Sequence, residues 1–395
     1  MVKYAANYTI YKDGATYYAM DIDGNIDYSG ATAHTVINSA IGNLGAAGGT
    51  VRILDGNFTL TGTVNLASKV KIVMSKHAVF TMAANIYMFD FNNVQDAGIF
   101  GGYLQGSNDY IVQAIRIYNG SKRNTVSGCY IRNCRTYYYL GGRAITIEDD
   151  TSAYNSILDN IIEDTYQEGM IVYRSSNNII KGNTVNRTGN HGIIVTGGSS
   201  NLIENNIVLN AGYHYLYGDA HGIDVDGVSG TYTCQDNRVI GNIIKTTRMT
   251  GIQVADGAHR TAVIGNSVED TTQRGIYYGG TSASSSGGVI VGNNVFNASS
   301  IGIFVEGTSS GCINWMTVAD NVVESCGDDG IILKYVYDST VEGNICQGNS
   351  GCGLNFESQE CDYDIILGND FRGNTGDSIR QNGANGNGEQ AHNIT

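Results

Sequence analysis

The eight residues "AHGIDVDG" at positions 220–227 place one histidine and two aspartates among small and apolar residues. In an extended strand alternate side chains share a face, so Asp224 and Asp226 would lie on one face with Cα atoms about 6.6 Å apart. A carboxylate pair beside His221 can transfer protons or hold a cation. The segment is therefore a candidate catalytic or metal-binding site, and the alternative is a solvated acidic turn of a repeating scaffold.

The sequence around this segment is rich in ionisable and aromatic side chains. Three of the seven histidines lie between positions 191 and 221. The insertion "AGYHYLYGDAH" at 211–221 adds His214, Tyr215, Tyr217 and Asp219 just before the strand. Insertions on one face of a repeat protein commonly form its binding surface, so this region is the predicted functional face.

The chain from residue 144 onward is an internal repeat. Each repeat has an opening glycine, two apolar residues separated by one variable residue, a short turn and an "NxIxxN" phrase. The opening glycines are spaced by 23 to 30 residues, at Gly169, Gly192, Gly222, Gly251, Gly275, Gly302, Gly330 and Gly353. Period-2 alternation in coils too small to bury their own core predicts a β-solenoid. Asparagines at the corners tolerate left-handed backbone and can stack into ladders between coils.

The N-terminal part predicts how this solenoid begins. Residues 35–62 have the pattern of a short amphipathic helix followed by a glycine turn and strands. Such a helix would cap the open first coil and protect its edge. We expect residues 1–30 to form a β-ribbon extension and residues 31–395 to form one β-helix domain.

The segment "AAGGTVRILDGNF" at 46–58 resembles the entrance of pectate-lyase-like β-helix proteins, with Asp55 where that family often has proline. The resemblance spans about residues 30 to 380. It implies an all-β, single-stranded, right-handed parallel β-helix with a short N-terminal capping helix. It is less specific for activity, because this fold hosts polysaccharide lyases, hydrolases, epimerases, phage tailspikes and adhesins.

The strand pattern assigns the residues that point outward. In each "GIxVx" strand the apolar positions enter the core and both x positions should point to solvent. Stacked coils, about 4.8 Å apart, then align these positions in columns. The first column contains Asp224, Gln253 and Tyr277, the second contains Tyr173, Asp226 and Lys334, and the residues before the opening glycines form a third with Glu168, His191, His221 and Arg274.

These columns and the insertion define the predicted site. The predicted catalytic residues are His191, His221, Asp224, Asp226, Tyr217 and Arg274. The predicted substrate-binding residues are Tyr173, Arg174, His214, Tyr215, Tyr277 and Lys334. The predicted ligands of a bound Ca²⁺ are Asp219, Asp224, Asp226 and Glu168. The structural alternatives are turn histidines, solvated aspartates, and an Arg274 paired with Asp270 or Glu269.

The amino-acid composition limits the classes of binding partner. There are 23 Lys and Arg against 37 Asp and Glu, a formal net charge of −14, which disfavours nucleic acid and suits hard cations. No apolar run approaches 18 residues, so no membrane span is expected. The opening residues lack the apolar core of a signal peptide. The eight cysteines have no CxxC spacing, which argues against a zinc ribbon and predicts buried thiols with some disulfides.

The predicted function is cleavage of an acidic, uronic-acid-containing polysaccharide, by β-elimination. Glycoside hydrolysis and C5 epimerisation on the same groove are the enzymatic alternatives. Polygalacturonases carry "DG", "DD" and "HG" on successive coils in that order. Here "NHG" and "AHGIDVDG" come first and "GDDG" comes last, which argues against a direct match to that family. "YGDAH" is similar to a mannuronan C5-epimerase motif with one residue missing, and "EGMIVYRSS" is similar to an alginate-lyase motif with Arg174 in place of lysine.

The alternative from another functional class is a non-catalytic tailspike or adhesin that binds carbohydrate on the same face. The predicted location is extracellular or on the cell surface, or on a virion for a tailspike. The predicted oligomeric state is a monomer, or a trimer if the protein is a tailspike.

Overall fold

The computed structural model describes residues 6–107, 109–110, 112–134, 142–214, 219–228, 232, 234–280, 286–358, 361–381, 389–391 and 393–394. The chain divides into two compact units, Met1–Gly189 (unit 1) and Asn190–Thr395 (unit 2). Each unit is a stack of short parallel strands. No helix among the described residues is long and apolar enough to cross a membrane.

Unit 1 begins with an antiparallel meander and then becomes a parallel solenoid. Its helix, Ala33–Leu44 (α1), is followed by a 3₁₀ turn at Gly45–Ala47. Its strands, in chain order, are Tyr8–Asp13 (β1), Thr16–Asp21 (β2), Ile26–Gly30 (β3), Gly49–Ile53 (β4), Gly56–Leu60 (β5), Val64–Asn65 (β6), Val70–Met74 (β7), Ala78–Met82 (β8), Ile86–Asn92 (β9), Gly98–Phe100 (β10), Tyr103–Gln105 (β11), Val112–Tyr118 (β12), Thr125–Ser127 (β13), Tyr130–Arg132 (β14), Arg143–Glu148 (β15), Ser156–Leu158 (β16), Ile161–Glu163 (β17), Met170–Tyr173 (β18), Ile179–Lys181 (β19) and Thr184–Asn186 (β20).

The strands of unit 1 form three parallel stacks. One runs β4, β7, β10, β13, β16, β19, with β1 added beside β4. A second runs β5, β8, β11, β14, β17, β20, and a third runs β6, β9, β12, β15, β18. The first three strands pair antiparallel, β1 with β2 and β2 with β3.

The N-terminal helix has the predicted capping role. Its apolar face, which includes Val36, Ile37 and Ile41, is buried. The helix contacts β2 and β3 of the meander and also β4, β5 and β6, which form the first coil. It therefore covers the open end of the core, as the sequence predicts.

Unit 2 contains the remaining strands. In chain order they are Ile193–Thr196 (β21), Leu202–Glu204 (β22), Ile207–Leu209 (β23), Ile223–Asp226 (β24), Cys234–Gln235 (β25), Arg238–Ile240 (β26), Ile243–Thr247 (β27), Ile252–Ala255 (β28), Ala258–His259 (β29), Ala262–Ile264 (β30), Ser267–Thr271 (β31), Ile276–Gly279 (β32), Val289–Val291 (β33), Asn294–Phe296 (β34), Ile303–Glu306 (β35), Ile313–Asn314 (β36), Thr317–Ala319 (β37), Val322–Glu324 (β38), Ile331–Lys334 (β39), Val336–Tyr337 (β40), Thr340–Glu342 (β41), Ile345–Gln347 (β42), Leu354–Phe356 (β43), Ile365–Leu367 (β44), Ile379–Gln381 (β45) and Glu389–Ala391 (β46).

Three parallel stacks also build unit 2. The stack that carries the predicted site runs β21, β24, β28, β32, β35, β39, β43, β45. The second runs β22, β26, β30, β33, β37, β41, β44, β46, and the third runs β23, β27, β31, β34, β38, β42. Two short pairs, β25–β29 and β36–β40, lie outside these stacks.

Asparagine ladders connect the coils at the corners, as the "NxIxxN" phrase predicts. Asn206 donates its peptide N–H to the side-chain oxygen of Asn242 at 2.9 Å, and Asn242 repeats this toward Asn266. Since these side chains are buried, each rung satisfies a peptide group that would otherwise lack a partner. The ladders therefore fix the stacking of the coils.

The opening glycines are required by the close approach of adjacent coils. A Cβ on Gly222 would lie 2.6 Å from the carbonyl oxygen of Gly251 in the next coil. Any side chain there would force the coils apart, because normal van der Waals separation is more than half an ångström longer.

The cysteine prediction was partly right. All eight cysteines are free thiols, and every one except the half-buried Cys312 is buried, so the buried thiols are confirmed and the predicted disulfides are absent.

Candidate functional site

Two histidines stack at the start of successive coils in unit 2. His191 and His221 each precede an opening glycine, and their rings lie 5.3 Å apart at an interplanar angle of 25°. Their peptide groups are held by the parallel stack, because Gly192 donates to the His221 carbonyl oxygen and Gly222 to that of Thr250. The two side chains are only 5% and 2% exposed. The predicted column is therefore confirmed, and both rings are buried.

Peptide hydrogen bonds determine which ring nitrogen carries the proton. The His221 peptide N–H donates to His191 Nδ1, and the Thr250 peptide N–H donates to His221 Nδ1, each at 3.2 Å. A nitrogen that accepts a hydrogen bond cannot carry a proton of its own. Both rings are therefore neutral tautomers with the proton on Nε2. They are hydrogen-bond donors at Nε2, and their Nδ1 lone pairs are already engaged.

A single carboxylate lies at the Nε2 edges of both rings. The His221 Nε2 atom is 2.5 Å from Asp219 Oδ1, and His191 Nε2 is 4.0 Å from Asp219 Oδ2. The Asp219 side chain is 57% exposed, so it joins the buried pair to solvent. Its hydrogen bond with His221 holds the pKa of the Asp219 carboxyl below its usual range.

The two aspartates of strand β24 differ in burial. Asp224 is 2% exposed, with Oδ2 3.8 Å from His191 Nδ1, whereas Asp226 is half-buried. Burial, followed by the nearby charges of Asp226 and Asp219, raises the pKa of Asp224 well above its usual range. Burial is also the main cause that raises the pKa of Asp226 to about 6, with added repulsion from Asp256 and Asp219.

The predicted solvent exposure of the first outward column is wrong. The strand register places Asp224, Gln253, Tyr277 and Phe304 in the predicted column, but three of these four side chains are buried. The reason is that side chains of the neighbouring columns cover those of the first column. Histidine rings cover Asp224, and Tyr277 and Phe304 belong to an apolar cluster on this outer face, with Ala255, Ile301 and Ile332.

A cation and an aromatic pair follow further along the same stack. The Arg274 guanidinium lies 4.6 Å from the ring centre of Tyr277 and 4.9 Å from that of Phe304. It stacks on aromatic rings, as arginine does readily. The Tyr277 hydroxyl donates to Glu306 Oε2 at 3.0 Å, and Lys334 Nζ lies 3.1 Å from Glu306 Oε1. These side chains place two cations, Arg274 and Lys334, beside a buried aromatic pair.

Three predicted site residues belong to unit 1. Glu168 is buried and pairs with Arg143 Nε at 2.5 Å, so it forms an ion pair within its own unit. The Arg174 guanidinium lies 4.6 Å from the ring centre of Tyr173.

The insertion is described in part. His214 is half-buried, and its ring contacts that of Tyr213 edge-on at 4.9 Å. Tyr215 and Tyr217 lie outside the described residues.

The predicted site residues omit two polar neighbours of the aspartates. Gln253 pairs in register with Asp224, and Thr196 pairs in register with Asp226. Each occupies the same column as its aspartate in an adjacent coil, so the strand register alone could have identified both. Asp256 adds negative charge to the group, but it lies beyond the end of β28, where column counting does not apply.

One group of side chains has the composition of a metal site. Among the described residues, His191, His221 and Asp224 each offer one ligand atom, and these atoms lie within 4.8 Å of one another. The arrangement can thus do two things: donate hydrogen bonds to a carboxylate at its outer edge, or bind a cation at its inner edge.

Comparison with known families identifies the repeat. The model of the right-handed beta helix region matches residues 82–228 and 113–296, which together span more than half of the chain. The model of the periplasmic copper-binding protein NosD matches residues 212–394. No curated protein sequence matches this chain.

Solved structures resemble the chain at low sequence identity. The mannuronan C-5 epimerase AlgE6 A-module of Azotobacter vinelandii is 14% identical, with a TM-score of 0.60, over 91% of this chain and 94% of its own. The catalytic domain of a GH87 α-1,3-glucanase in complex with nigerose is 13% identical, with a TM-score of 0.62, over 92% and 67%. Tailspike protein 3 of bacteriophage CBA120 is 10% identical, with a TM-score of 0.61, over 91% and 58%. These likenesses support the fold alone.

Proposed function

The chain belongs to the right-handed β-helix family, and we propose that it is a carbohydrate-active enzyme that cleaves a uronic-acid-containing polysaccharide by β-elimination. The observation that carries the proposal is the pair of neutral histidines whose Nε2 atoms face one carboxylate, Asp219. A uronate carboxylate has the same chemistry as that side chain. The same N–H groups can therefore bind the substrate carboxylate when it replaces Asp219.

The reaction begins with removal of the proton on the carbon next to the uronate carboxylate. The negative charge that develops on the carboxylate oxygens is stabilised by the Nε2–H donors of His191 and His221. The engaged Nδ1 atoms exclude both rings as the base in this arrangement. Asp226 on the same strand is the proposed base, because its half-buried carboxylate has access to solvent. The neighbouring C–O bond then breaks, a double bond forms, and Tyr217 protonates the leaving oxygen.

The rest of the proposed groove binds the polymer. Arg274, held flat on Tyr277, offers paired N–H donors to a further carboxylate. Lys334 offers a point charge, which is shared with Glu306. His214 and Tyr215 keep their proposed contacts with the substrate in unit 2, and Tyr173 and Arg174 are proposed separately as a substrate contact of unit 1.

Calcium stays in the proposal as a cofactor for the acidic face. Asp219, Asp224 and Asp226 repel one another, and a divalent cation would relieve that repulsion. Glu168, the fourth predicted ligand, lies in unit 1, where it pairs with Arg143, so the proposed calcium ligands in unit 2 are the three aspartates. The test is to remove cations with a chelator and add calcium back alone. Recovery of activity supports a calcium requirement, and full activity in the chelator contradicts it.

Glycoside hydrolysis is the second candidate. Asp224 and Asp226 form a carboxyl pair on one strand, and the burial that raises the pKa of Asp224 would keep it protonated, as a general acid must be. The GH87 α-1,3-glucanase has a similar fold. Epimerisation shares the proton-abstraction step with elimination, and the mannuronan C-5 epimerase is the corresponding structural neighbour.

The product distinguishes these chemistries. The protein is incubated with alginate, pectate, a glycosaminoglycan and an α-1,3-glucan. β-Elimination predicts new ultraviolet absorbance from an unsaturated uronate together with new reducing ends. Reducing ends without that absorbance indicate hydrolysis, and an altered NMR spectrum without cleavage indicates epimerisation.

Variants test the site itself. We expect Asp226→Asn and His221→Asn each to lower kcat by at least about 100-fold, the range for loss of one acid–base group or charge-stabilising donor. Asp236→Asn and His259→Asn are the matched controls, because these residues form contacts elsewhere in unit 2, with Arg260 and Ser286. Equal activity of site variants and controls would contradict this site.

A non-catalytic tailspike or adhesin would give none of these products. It would bind polysaccharide with no loss of chain length, and light scattering would detect a trimer. An enzyme of this type is proposed to be monomeric and to act outside the cell, which fractionation of producing cells tests.

A further inference from the structure

We infer that His191, His221 and Asp224 form a binding site for one divalent transition-metal ion. Their three ligand atoms lie within 4.8 Å of one another, so one ion can contact all of them after small side-chain shifts. All three side chains are at least nine-tenths buried. The polypeptide holds them in place through strand β24 and the peptide groups that flank each histidine.

Asp224 supplies an independent indication of a missing ligand. Its Oδ1 atom is buried and has no hydrogen-bond partner among the described residues. A buried oxygen without a partner destabilises the fold, and more so when the group is charged. Gln253 is the register partner of Asp224 in the adjacent coil, and the Oδ1 atom of Asp224 remains for a ligand. A bound cation would satisfy that atom.

The local charge also favours a cation. Asp219 lies at the outer edge of both histidine rings, and Asp226 lies two residues from Asp224 on strand β24. The two rings beside Asp224 are neutral in the observed tautomer, and Gln253, its register partner in the adjacent coil, is neutral as well. A divalent ion would compensate this negative group inside a region that water enters poorly.

The ligand types select the class of metal. Imidazole nitrogens suit zinc, cobalt, nickel and copper, and two histidines with one carboxylate form a common site for such ions. Calcium instead takes six to eight oxygen ligands, so calcium and a transition metal would compete for Asp224. His191 turns its Nδ1 edge toward Asp224, at 3.8 Å. An ion at this edge would replace two long peptide contacts of 3.2 Å with coordination bonds.

Asp219 would orient one of the metal ligands. A histidine that binds a metal through one nitrogen usually donates its other N–H to a carboxylate. His221 already donates Nε2–H to Asp219, so a metal would bind at Nδ1, in place of the Thr250 peptide N–H. The ion would lie on the inner side of the rings and the proposed substrate carboxylate on the outer side. This inference goes beyond the proposed function, and metal binding is measured without any polysaccharide.

The test is metal uptake by the full chain after removal of bound ions with a chelator. Titration with Zn²⁺ by calorimetry, and with Co²⁺ by visible absorption, should each give about one equivalent per chain. His191→Asn and Asp224→Asn should lower the affinity by at least about 100-fold. Asp219→Asn should lower it by about 10- to 100-fold, the range for loss of a group that orients a ligand.

Two choices keep the test decisive. Asparagine at position 191 retains a side-chain oxygen for the peptide N–H of the next coil, as Asp329 does for Cys352 at the corresponding position. His259→Asn is the matched control and should bind like the unaltered chain. Melting temperatures measured without metal establish that each variant is folded.

The inference is overturned if the unaltered chain takes up no stoichiometric Zn²⁺ or Co²⁺, if folded His191→Asn and Asp224→Asn bind as tightly as the control, or if calcium displaces Co²⁺ at equal concentration. A polysaccharide activity that fails while metal binding persists would contradict the proposed function alone.

Discussion

The two nitrogens of His221 have separate roles. Nδ1 accepts the peptide N–H of Thr250, and Nε2 donates to the Asp219 carboxylate. The first contact stabilises the stacking of coils. The second is the contact that the substrate carboxylate is proposed to replace. A substitution that keeps one and removes the other can therefore separate stability from activity.

Replacement of His221 by asparagine or by alanine gives the first prediction. Alanine leaves the Thr250 N–H buried without an acceptor, whereas an asparagine oxygen can replace Nδ1. We expect His221→Ala to unfold at a free energy about 1–3 kcal/mol lower than His221→Asn, the cost of an unsatisfied buried group. Urea denaturation measures the difference. Equal stability of the two variants would contradict the assigned tautomer, and His259→Ala against His259→Asn is the control pair.

Arg274 gives the second prediction. Its guanidinium stacks on Tyr277 and Phe304, and lysine would keep the charge but lose the flat contact and the paired donors. Stacking of this kind contributes about 0.5–2 kcal/mol, so Arg274→Lys should raise KM or Kd for the acidic polymer by about 2- to 30-fold. Arg260→Lys, in an exposed ion pair with Asp236, should leave polymer binding unchanged. An unchanged KM for Arg274→Lys would remove Arg274 from the groove.

At the scale of the coil, the sequence pattern predicts more of the backbone than of the side-chain environment. Glycine spacing, alternation and corner asparagines correctly predict the parallel stacks, the ladders and the register that aligns Asp224 with Gln253. They do not predict burial, because alternation specifies which face a side chain occupies and gives no information on what covers that face. Tyr277 and Phe304 are large enough to cover each other, and no periodicity encodes that contact.

A single carboxylate in a ladder position gives the third prediction. Asp364 accepts the Ser339 peptide N–H at 3.0 Å, the contact that Asn237 makes with Asn201 in an earlier coil. Burial raises the pKa of Asp364 to about 7, against 3.8 for the free side chain. The folded state therefore binds more protons than the unfolded state between these values. Its contribution to stability is complete below about pH 4 and is lost as the pH rises through 7.

Asp364→Asn should remove this pH dependence, because an asparagine accepts the same hydrogen bond without a charge. Relative to the unaltered chain, the variant should gain about 2.6 kcal/mol of stability between pH 5 and pH 8, because about two pH units of the titration lie between pH 5 and a pKa of about 7. Urea denaturation at both pH values measures the gain. Asp236→Asn, which alters an exposed carboxylate paired with Arg260, should show no such gain. A constant difference between the two pH values would mean that Asp364 does not titrate in this range.

At the scale of the whole chain, the negative net charge of the protein repels the proposed acidic substrate. The formal charge is −14, while the proposed contacts to carboxylates come from a few side chains such as Arg274 and Lys334. Long-range repulsion therefore acts on an acidic polymer before these short-range contacts form. The sequence establishes this charge directly and places the two cations in their columns, whereas the contacts of Arg274 with Tyr277 and of Lys334 with Glu306 required the structure.

Salt should accordingly improve the action on an acidic polymer. The Debye length falls from about 30 Å at 0.01 M to about 8 Å at 0.15 M ionic strength, which screens the repulsion between the chain and the polymer more than contacts at 3–4 Å. We expect kcat/KM for a polyuronate to rise over this range and to fall only at higher salt, where contacts with Arg274 and Lys334 weaken. A neutral α-1,3-glucan is the control and should show little dependence on salt. If kcat/KM for the polyuronate falls steadily from the lowest salt concentration, local attraction dominates the approach of the polymer, and the groove must carry more positive charge than these two side chains supply.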